Sequence, residues 1–246
     1  MAHRFFITPR EWNPQAQRLT GAEARHATDV LRLREGDAVV VFDGLGSEQP
    51  ARVVGIGKDE VVLAPGQLAR TSALPCRIAI GQAIPKGKNM DLIVQKATEL
   101  GAAAVYPIVS DRTVVRLDKS EAESKREKWQ RVAVEACKQC GQTWLPEVAV
   151  PATLDQMLEE TATAGLRLAA SLQPDARSLR QLLGKGPPPP GGMAVLIGPE
   201  GDVTPDEAIK FQAAGWLPWS LGALTLRSET AAICALSILR YEVHTD

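Results

Sequence analysis

Cysteine and histidine are scarce in this chain of 246 residues, with four of one and three of the other. Cys76, Cys137, Cys140 and Cys234 form no repeating framework, which excludes a small fold stapled by disulfides and fits reduced thiols. Cys137 and Cys140 have the spacing of a metal pair, but no second pair follows and His3, His26 and His244 are scattered, so no metal is expected. Long apolar runs are also missing. None approaches the ~20 residues that span a bilayer, and the opening MAHRFFITPR lacks the apolar core of a signal peptide. The expectation is a cytoplasmic protein without membrane contact. A formal net charge of −1 denies the chain a uniformly basic coat for nucleic acid. Its glycine loop carries no Gly-Lys-Ser/Thr ending, which excludes a P-loop. No internal repeat occurs.

What is present is a 45% hydrophobic composition, enough to bury a sizeable core over a length that suits one or two domains. Two are expected, because the texture changes near residue 72. Before it, HRFFIT, DAVVVFDG, ARVVGIG and EVVLA read as short strands, punctuated by turn signals at Asp43-Gly44 and Gly57-Lys58-Asp59. One helix interrupts them, from a capping box of Thr20 and Glu23 through His26 to about Leu33. TSALP, Thr71 to Pro75, is the linker. Beyond it the strands RIAIGQAI, AAVYPIV, EVAV, LRLAASL, MAVLI and LPWSL alternate with helices. Those helices are NMDLIVQKATEL, about Glu121 to Cys140, TLDQMLEE, a short one near Leu179, one from Pro205 and a final one. The alternation predicts an α/β fold with a parallel sheet covered by helices, and GKGPPPPGG, Gly184 to Gly192, is a connector within it. The predicted division is a β-rich module over 1–72 and an α/β domain over 73–246. Residues 76–145 carry 12 basic side chains against 8 acidic, whereas 1–75 balance at 9 and 9 and 146–246 carry 7 and 12. A polyanion footprint and a solvated helix face through KSEAESKREKWQR both fit that bias.

In parallel sheets ligands bind beyond the carboxyl ends of strands, and three such loops lie late in the chain. LRLAASLQP runs into Leu172-Gln173-Pro174. VLIGPEGDVTPDE leaves a strand through Gly198-Pro199-Glu200-Gly201 and starts a helix at Thr204, Pro205 and Glu207, a capping box with proline at the first helical position. Gly198 and Gly201 lack a β-carbon, so the chain can turn sharply there and a ligand can approach its amides. Glu200 and Asp202 repel phosphate. WSLGALTLRSETAAICAL places Leu221-Gly222 and Leu224 to Arg227 before the last helix, with Ser228 as its cap and Glu229 in its first turn, where a carboxylate favours the helix dipole. Loops rich in main chain and poor in charge suit a flat heterocycle. A tight turn without ligand, a solvated Arg227 and a merely capping Glu229 are the structural alternatives, and the residues alone leave them open.

GPEGxxxxxE, followed by SLGxxxLRxETA and a terminal helix, resembles the SPOUT class of trefoil-knotted, S-adenosyl-L-methionine-dependent RNA methyltransferases. Within that class, His26-Ala-Thr-Asp-Val-Leu-Arg32, GDAVVVFDG, KGKNMDLIVQKATELG, EACKQCG and LPEV resemble, from end to end, the RsmE-type small-subunit rRNA (uridine-N3) methyltransferases. The resemblance implies a PUA-like RNA-binding β-barrel over 1–72 and a SPOUT trefoil-knot domain over 73–246. It further implies cofactor contacts at Leu172, Gly198, Glu200, Gly201, Leu221, Gly222 and Leu226, and 16S rRNA or the small ribosomal subunit as partner. The family is dimeric, which implies a homodimer through the final helix, Ser228 to Val243. The apolar Ala231, Ala232, Ala235, Leu236 and Leu239 of that helix fit packing on a partner and packing on the sheet equally well. Two residues depart from the family pattern: Asp202 stands where glycine is usual, and Leu224 where arginine is frequent. No Gly-x-Gly-x-Gly follows an early strand, which argues against a Rossmann-type methyltransferase.

Methylation at uridine N3 requires that the imino proton leave and that the base be held in line with the methyl donor. The cofactor carries the activated methyl, so no metal is called for. Arg227 matches the LR motif and is the candidate for stabilising the uridinate, with Arg10 or Arg32 of the partner subunit as a second source of charge. Glu229 orients Arg227 or accepts the proton. Two other functions share several of these features. One is a SPOUT enzyme acting on a ribose 2′-hydroxyl or another base of rRNA or tRNA, which would lack the VLR…FDG and QKATELG blocks. The other is a non-catalytic RNA-binding assembly factor with a vestigial pocket, for which Asp202 speaks.

Overall fold

The computed structural model describes residues 2–110, 117–183, 189–200 and 203–243. The chain divides into two compact units, Met1–Ala73 with Val134–Leu145, and Leu74–Ala133 with Pro146–Asp246. The first holds β1 (His3–Phe6), β2 (Gln17–Thr20), α1 (Gly21–Arg25), β3 (Ala38–Phe42), β4 (Ser47–Ile56), β5 (Glu60–Pro65) and β6 (Ala69–Arg70). Its sheet runs β1-β3-β4-β5-β2, with β6 on β4; β1 and β3 are parallel and the other pairs antiparallel. Alternation decides which side chains enter the core. In β4, Ser47, Gln49, Ala51 and Val53 are buried and the residues between them face outward. A register shift between Val53 and Gly55 bends this long strand, and Phe5, Leu19, Val39, Val41, Val53 and Val61 pack together inside the curl. Asp43 makes the turn after β3: its Oδ1 accepts from the Leu45 and Ser47 amides at 2.7 and 2.9 Å.

Two expectations fail here. Thr20 occupies the N-cap of α1 but makes no side-chain cap bond, and the Glu23 carboxylate that would complete the box is drawn to Lys138 instead. Burial raises the Glu23 carboxyl above its usual range against the opposing pull of the Lys138 ammonium. The helix also ends early. It passes into a π turn over His26–Val30, and Arg32 adopts a φ of 53°, the left-handed region that no helix continues through. β2 and β6 are short and polar and carry no strand signal in the sequence; in β2 the buried Gln17 donates from Nε2 to Gln49 Oε1 at 3.2 Å.

The second unit contains β7 (Ile78–Ala83), α2 (Asn89–Glu99), β8 (Ala104–Val109), β9 (Glu147–Val148), β10 (Ala152–Thr153), α4 (Leu154–Glu160), β11 (Leu166–Ala170), α5 (Leu179–Leu183), β12 (Met193–Ile197), α6 (Pro205–Ala213), β13 (Leu217–Trp219) and α7 (Ser228–Val243). Helix α3 (Lys119–Cys140) belongs to this unit as far as Ala133 and to the first beyond it. All seven strands are parallel, in the order β10-β8-β7-β12-β11-β13 with β9 on β8. β12, MAVLI, is buried along its whole length, as a central parallel strand covered on both faces must be. Leu154 and Met157 of α4 and Phe211 of α6 pack with Trp216 on Ala169, Ala194 and Leu196. Helix α7 packs on α2, β7 and β12, and Ala231, Ala232, Ala235, Leu236 and Leu239 are all buried by it within the single chain. These five therefore serve the core and are not free to meet a partner. The first part of the Pro/Gly connector, 184–188, and residues Gly201, Asp202 and His244 lie outside the described residues.

The capping box of α6 forms as expected: the Glu207 amide donates to Thr204 Oγ1 at 3.2 Å and the Thr204 amide to Glu207 Oε2 at 2.8 Å, with Pro205 in the first turn. Thr204→Ala is expected to lower the unfolding free energy by about 1 kcal/mol, measured by urea denaturation; an unchanged midpoint would mean that packing of Phe211 alone holds the helix.

Candidate active site

β12, β11 and β13 are neighbours in one parallel sheet, so the loops that follow them leave at the same edge. There they enclose a cleft of about 340 Å³. Ala170 ends β11 and Ser171 and Leu172 follow it, Ile197 ends β12 and Gly198 to Glu200 follow it, and Leu221, Gly222 and Leu224 to Leu226 come from the loop after β13. Ser228 and Ala231 of α7 complete the wall. Of the expected contact residues, Leu172, Gly198, Glu200, Leu221, Gly222 and Leu226 thus line one space; Gly201 lies outside the described residues. Glu200 is the one charged side chain among the described lining residues.

Two glycines of the wall behave differently. Gly222 has a φ of 124°, a conformation that side chains rarely adopt, and open space where a β-carbon would stand. Gly198 is not in that region, and a β-carbon on it would meet Val203 Cγ1 at 3.3 Å and the Val203 nitrogen at 3.9 Å. Freedom of φ therefore accounts for glycine at 222 and not at 198.

Arg227 is exposed and Glu229 half-buried; neither lines the cleft, though both flank Ser228, which does. The expected cap also moves. The Ala231 amide donates to the Arg227 carbonyl at 2.8 Å, so Arg227 is the cap and Ser228 the first helical residue. The Ser228 hydroxyl instead accepts from Gln82 Nε2 at 2.8 Å, a buried bond from β7. Arg10 belongs to the other unit and is exposed in the turn after β1. The sequence does not single out Ser171, Thr225 or Gln82 as site residues; Leu224, a departure from the family pattern in the loop before the last helix, stands in the cleft wall and is 76% exposed.

Two other cavities differ in chemistry. A groove of about 880 Å³ beside α3 and α4 is lined by Glu123, Glu147, Glu159 and Glu160, with Arg126 as a counter-charge. An apolar cavity of about 640 Å³ lies along α6 and shares the Ala170–Ser171 wall. Among the described residues no group of three or more His, Cys, Asp and Glu side chains is placed to hold a metal, and no helix is long and apolar enough to cross a membrane.

The model of the RNA methyltransferase domain matches residues 72–240, and that of the RNA methyltransferase PUA domain residues 19–65. Fold, cleft and these matches together define an RNA methyltransferase that carries a PUA domain. The chain is 33% identical to the ribosomal RNA small subunit methyltransferase E of Synechocystis, over 96% of this chain and 77% of that one. It is 31% identical to that of Bacillus subtilis, over 91% and 89%. The crystal structure of ribosomal RNA small subunit methyltransferase E from Neisseria gonorrhoeae bound to S-adenosyl methionine superimposes with a TM-score of 0.87 at 30% identity, covering 98% of both chains. The chain belongs to the ribosomal RNA small subunit methyltransferase E family.

Gly222→Ala is expected to cost on the order of 1 kcal/mol through backbone strain alone, and Gly198→Ala less than half of that, both read from urea unfolding; equal losses would show that crowding rather than φ sets the choice. Burial pushes the Cys137 thiol up to about 12, whereas Cys140 is exposed. At pH 8 a thiol with such a pKa is ionised to roughly one part in 10⁴, so iodoacetamide should label Cys140 and spare Cys137 in the native protein, as mass spectrometry of peptides would reveal.

Proposed function

We propose that this chain transfers a methyl group from S-adenosyl-L-methionine to N3 of a uridine in 16S rRNA, with the three-loop cleft as the cofactor site. The observation that carries the reading is the convergence of the loops after β11, β12 and β13 on one small space, in a chain of this family. The lining fits such a ligand. Leu172, Leu221 and Leu226 offer apolar surface to a purine, and the peptide groups of Gly198, Glu200 and Gly222 offer hydrogen bonds that read its edge. The Glu200 carboxylate complements a cationic sulfonium and ammonium. The cofactor, when bound, supplies a methyl group already activated for transfer.

The protein's own tasks are then to hold the base in line and to dispose of the imino proton. Arg227, exposed beside the cleft, is assigned to stabilise the negative charge that develops on the uracil ring as N3 loses its proton. Glu229, in the first turn of α7, orients that guanidinium or accepts the proton. Arg10 of the partner subunit is assigned as the second source of positive charge. Residues 1–72 act as the PUA-like RNA-binding domain and 73–246 as the SPOUT domain with its trefoil knot. The protein works in the cytoplasm as a two-fold homodimer, whose contact uses the outward side of α7, where Tyr241 is 80% exposed.

Arg227→Ala is expected to lower single-turnover methyl transfer on the order of 100-fold while S-adenosylhomocysteine affinity, measured by calorimetry, stays within about twofold. Arg227→Lys recovers only part of the loss, because a point charge does not reproduce a planar fork. Turnover near that of the wild type in Arg227→Ala would remove Arg227 from the mechanism. Nucleoside analysis of 16S rRNA from a strain lacking the protein tests the reaction itself: 3-methyluridine disappears if the reading is right, and a missing ribose methylation in its place would overturn it.

A further inference from the structure

Gln82 is a fully buried polar residue in the middle of a hydrophobic sheet, 0% exposed. Its Nε2 lies 2.8 Å from the Ala83 carbonyl and 2.8 Å from Ser228 Oγ. A carbonyl oxygen can only accept, so the Ala83 contact fixes which end of the amide is nitrogen. Both amide hydrogens are then committed, one to Ala83 and one to Ser228. Gln82 Oε1, at the other end, has no partner among the described residues.

The Ser228 hydroxyl is constrained in turn. A hydroxyl that accepts from an amide hydrogen must point its own hydrogen elsewhere, and no described residue accepts from it. Ser228 lines the cleft. It is also the first residue of α7, where unsatisfied amides and the helix dipole favour an electron-rich group. Keeping an amide with an orphaned oxygen in a dry core costs stability, and a methionine of similar shape would avoid that cost.

We infer that Ser228 is a ligand-binding residue of the cleft, a hydrogen-bond donor to an acceptor atom of the cofactor, with its polarity set from behind by Gln82. Gln82 is the positioning residue of the pair. The inference rests on the cofactor reading of the cleft, and it adds a neutral side-chain hydrogen bond to the main-chain, leucine and Glu200 contacts of that site.

The test titrates S-adenosylhomocysteine by calorimetry into the full-length wild type, Ser228→Ala, Ser228→Thr, Gln82→Met and the double variant Gln82→Met/Ser228→Ala, with urea unfolding of each. Ser228→Ala should weaken affinity about fivefold, the worth of one neutral hydrogen bond. Ser228→Thr, which keeps the hydroxyl, should recover most of it. Gln82→Met should weaken affinity about threefold without loss of stability, and the double variant should be no weaker than Ser228→Ala, because the two residues act through one bond. Unchanged affinity in Ser228→Ala, whether or not turnover falls, overturns the inference, and so does a double variant in which the two losses multiply. A wild type that binds no S-adenosylhomocysteine would instead defeat the cofactor reading on which the inference stands.

Discussion

β12 lies between β7 and β11, held in parallel register from Met193 opposite Ile78 and Leu166 to Ile197 opposite Gln82, and most of the catalytic unit depends on that placement. Because parallel strands share a direction, the three loops that leave β12, β11 and β13 must emerge at one edge. Because β12 is buried on both faces, only its last residue, Ile197, reaches the cleft, and the chemistry passes to the loop at its carboxyl end. Helix α7 then returns over β7 and β12 with its apolar residues inward. That return sets the first turn of α7 against the end of β7, where Gln82 can reach Ser228.

Local patterns were readable and long-range competitors were not. Thr204, Pro205 and Glu207 form the capping box their order promises, since both partners lie within one turn. Thr20 and Glu23 offer the same signal, but Lys138, 115 residues away, claims the glutamate. Ser228 looks like a cap for the same reason and is claimed by Gln82, 146 residues away. A mostly parallel sheet and the last helix from Ser228 to Val243 followed from periodicity and from the SPOUT resemblance, and the sheet is parallel throughout. The cleft followed from the three loops, because residue type and position after a strand are local properties. Whether α7 spends its alanines and leucines on the sheet or on a partner is a question of three-dimensional packing, and no period in the sequence distinguishes the two.

Among its described residues the cleft is poor in charge, and most of its surface is apolar or main chain. Glu200 is its one charged described residue, and the leucines at 172 and 224 stand 59% and 76% exposed at its border. Such a site selects by shape and by the direction of its hydrogen bonds, which few rotatable side chains can blur. Glycine at 222 contributes by holding a backbone direction that another residue resists.

The place of β12 also has a history in time. Its partner β7 begins at Ile78, and Met193 must be made before the two can pair. At synthesis rates of about 5–20 residues per second, a separation of about 115 residues means a wait of roughly 6–23 s. Through that interval β7 can pair with β8 on one side while its other edge, rich in Ile and Ala, has no native partner. Open apolar edges invite association with other chains. The same crossover that gathers three loops into one cleft thus leaves the nascent chain exposed for seconds, and a ribosome that stalls before residue 193 holds a unit whose central strand does not yet exist.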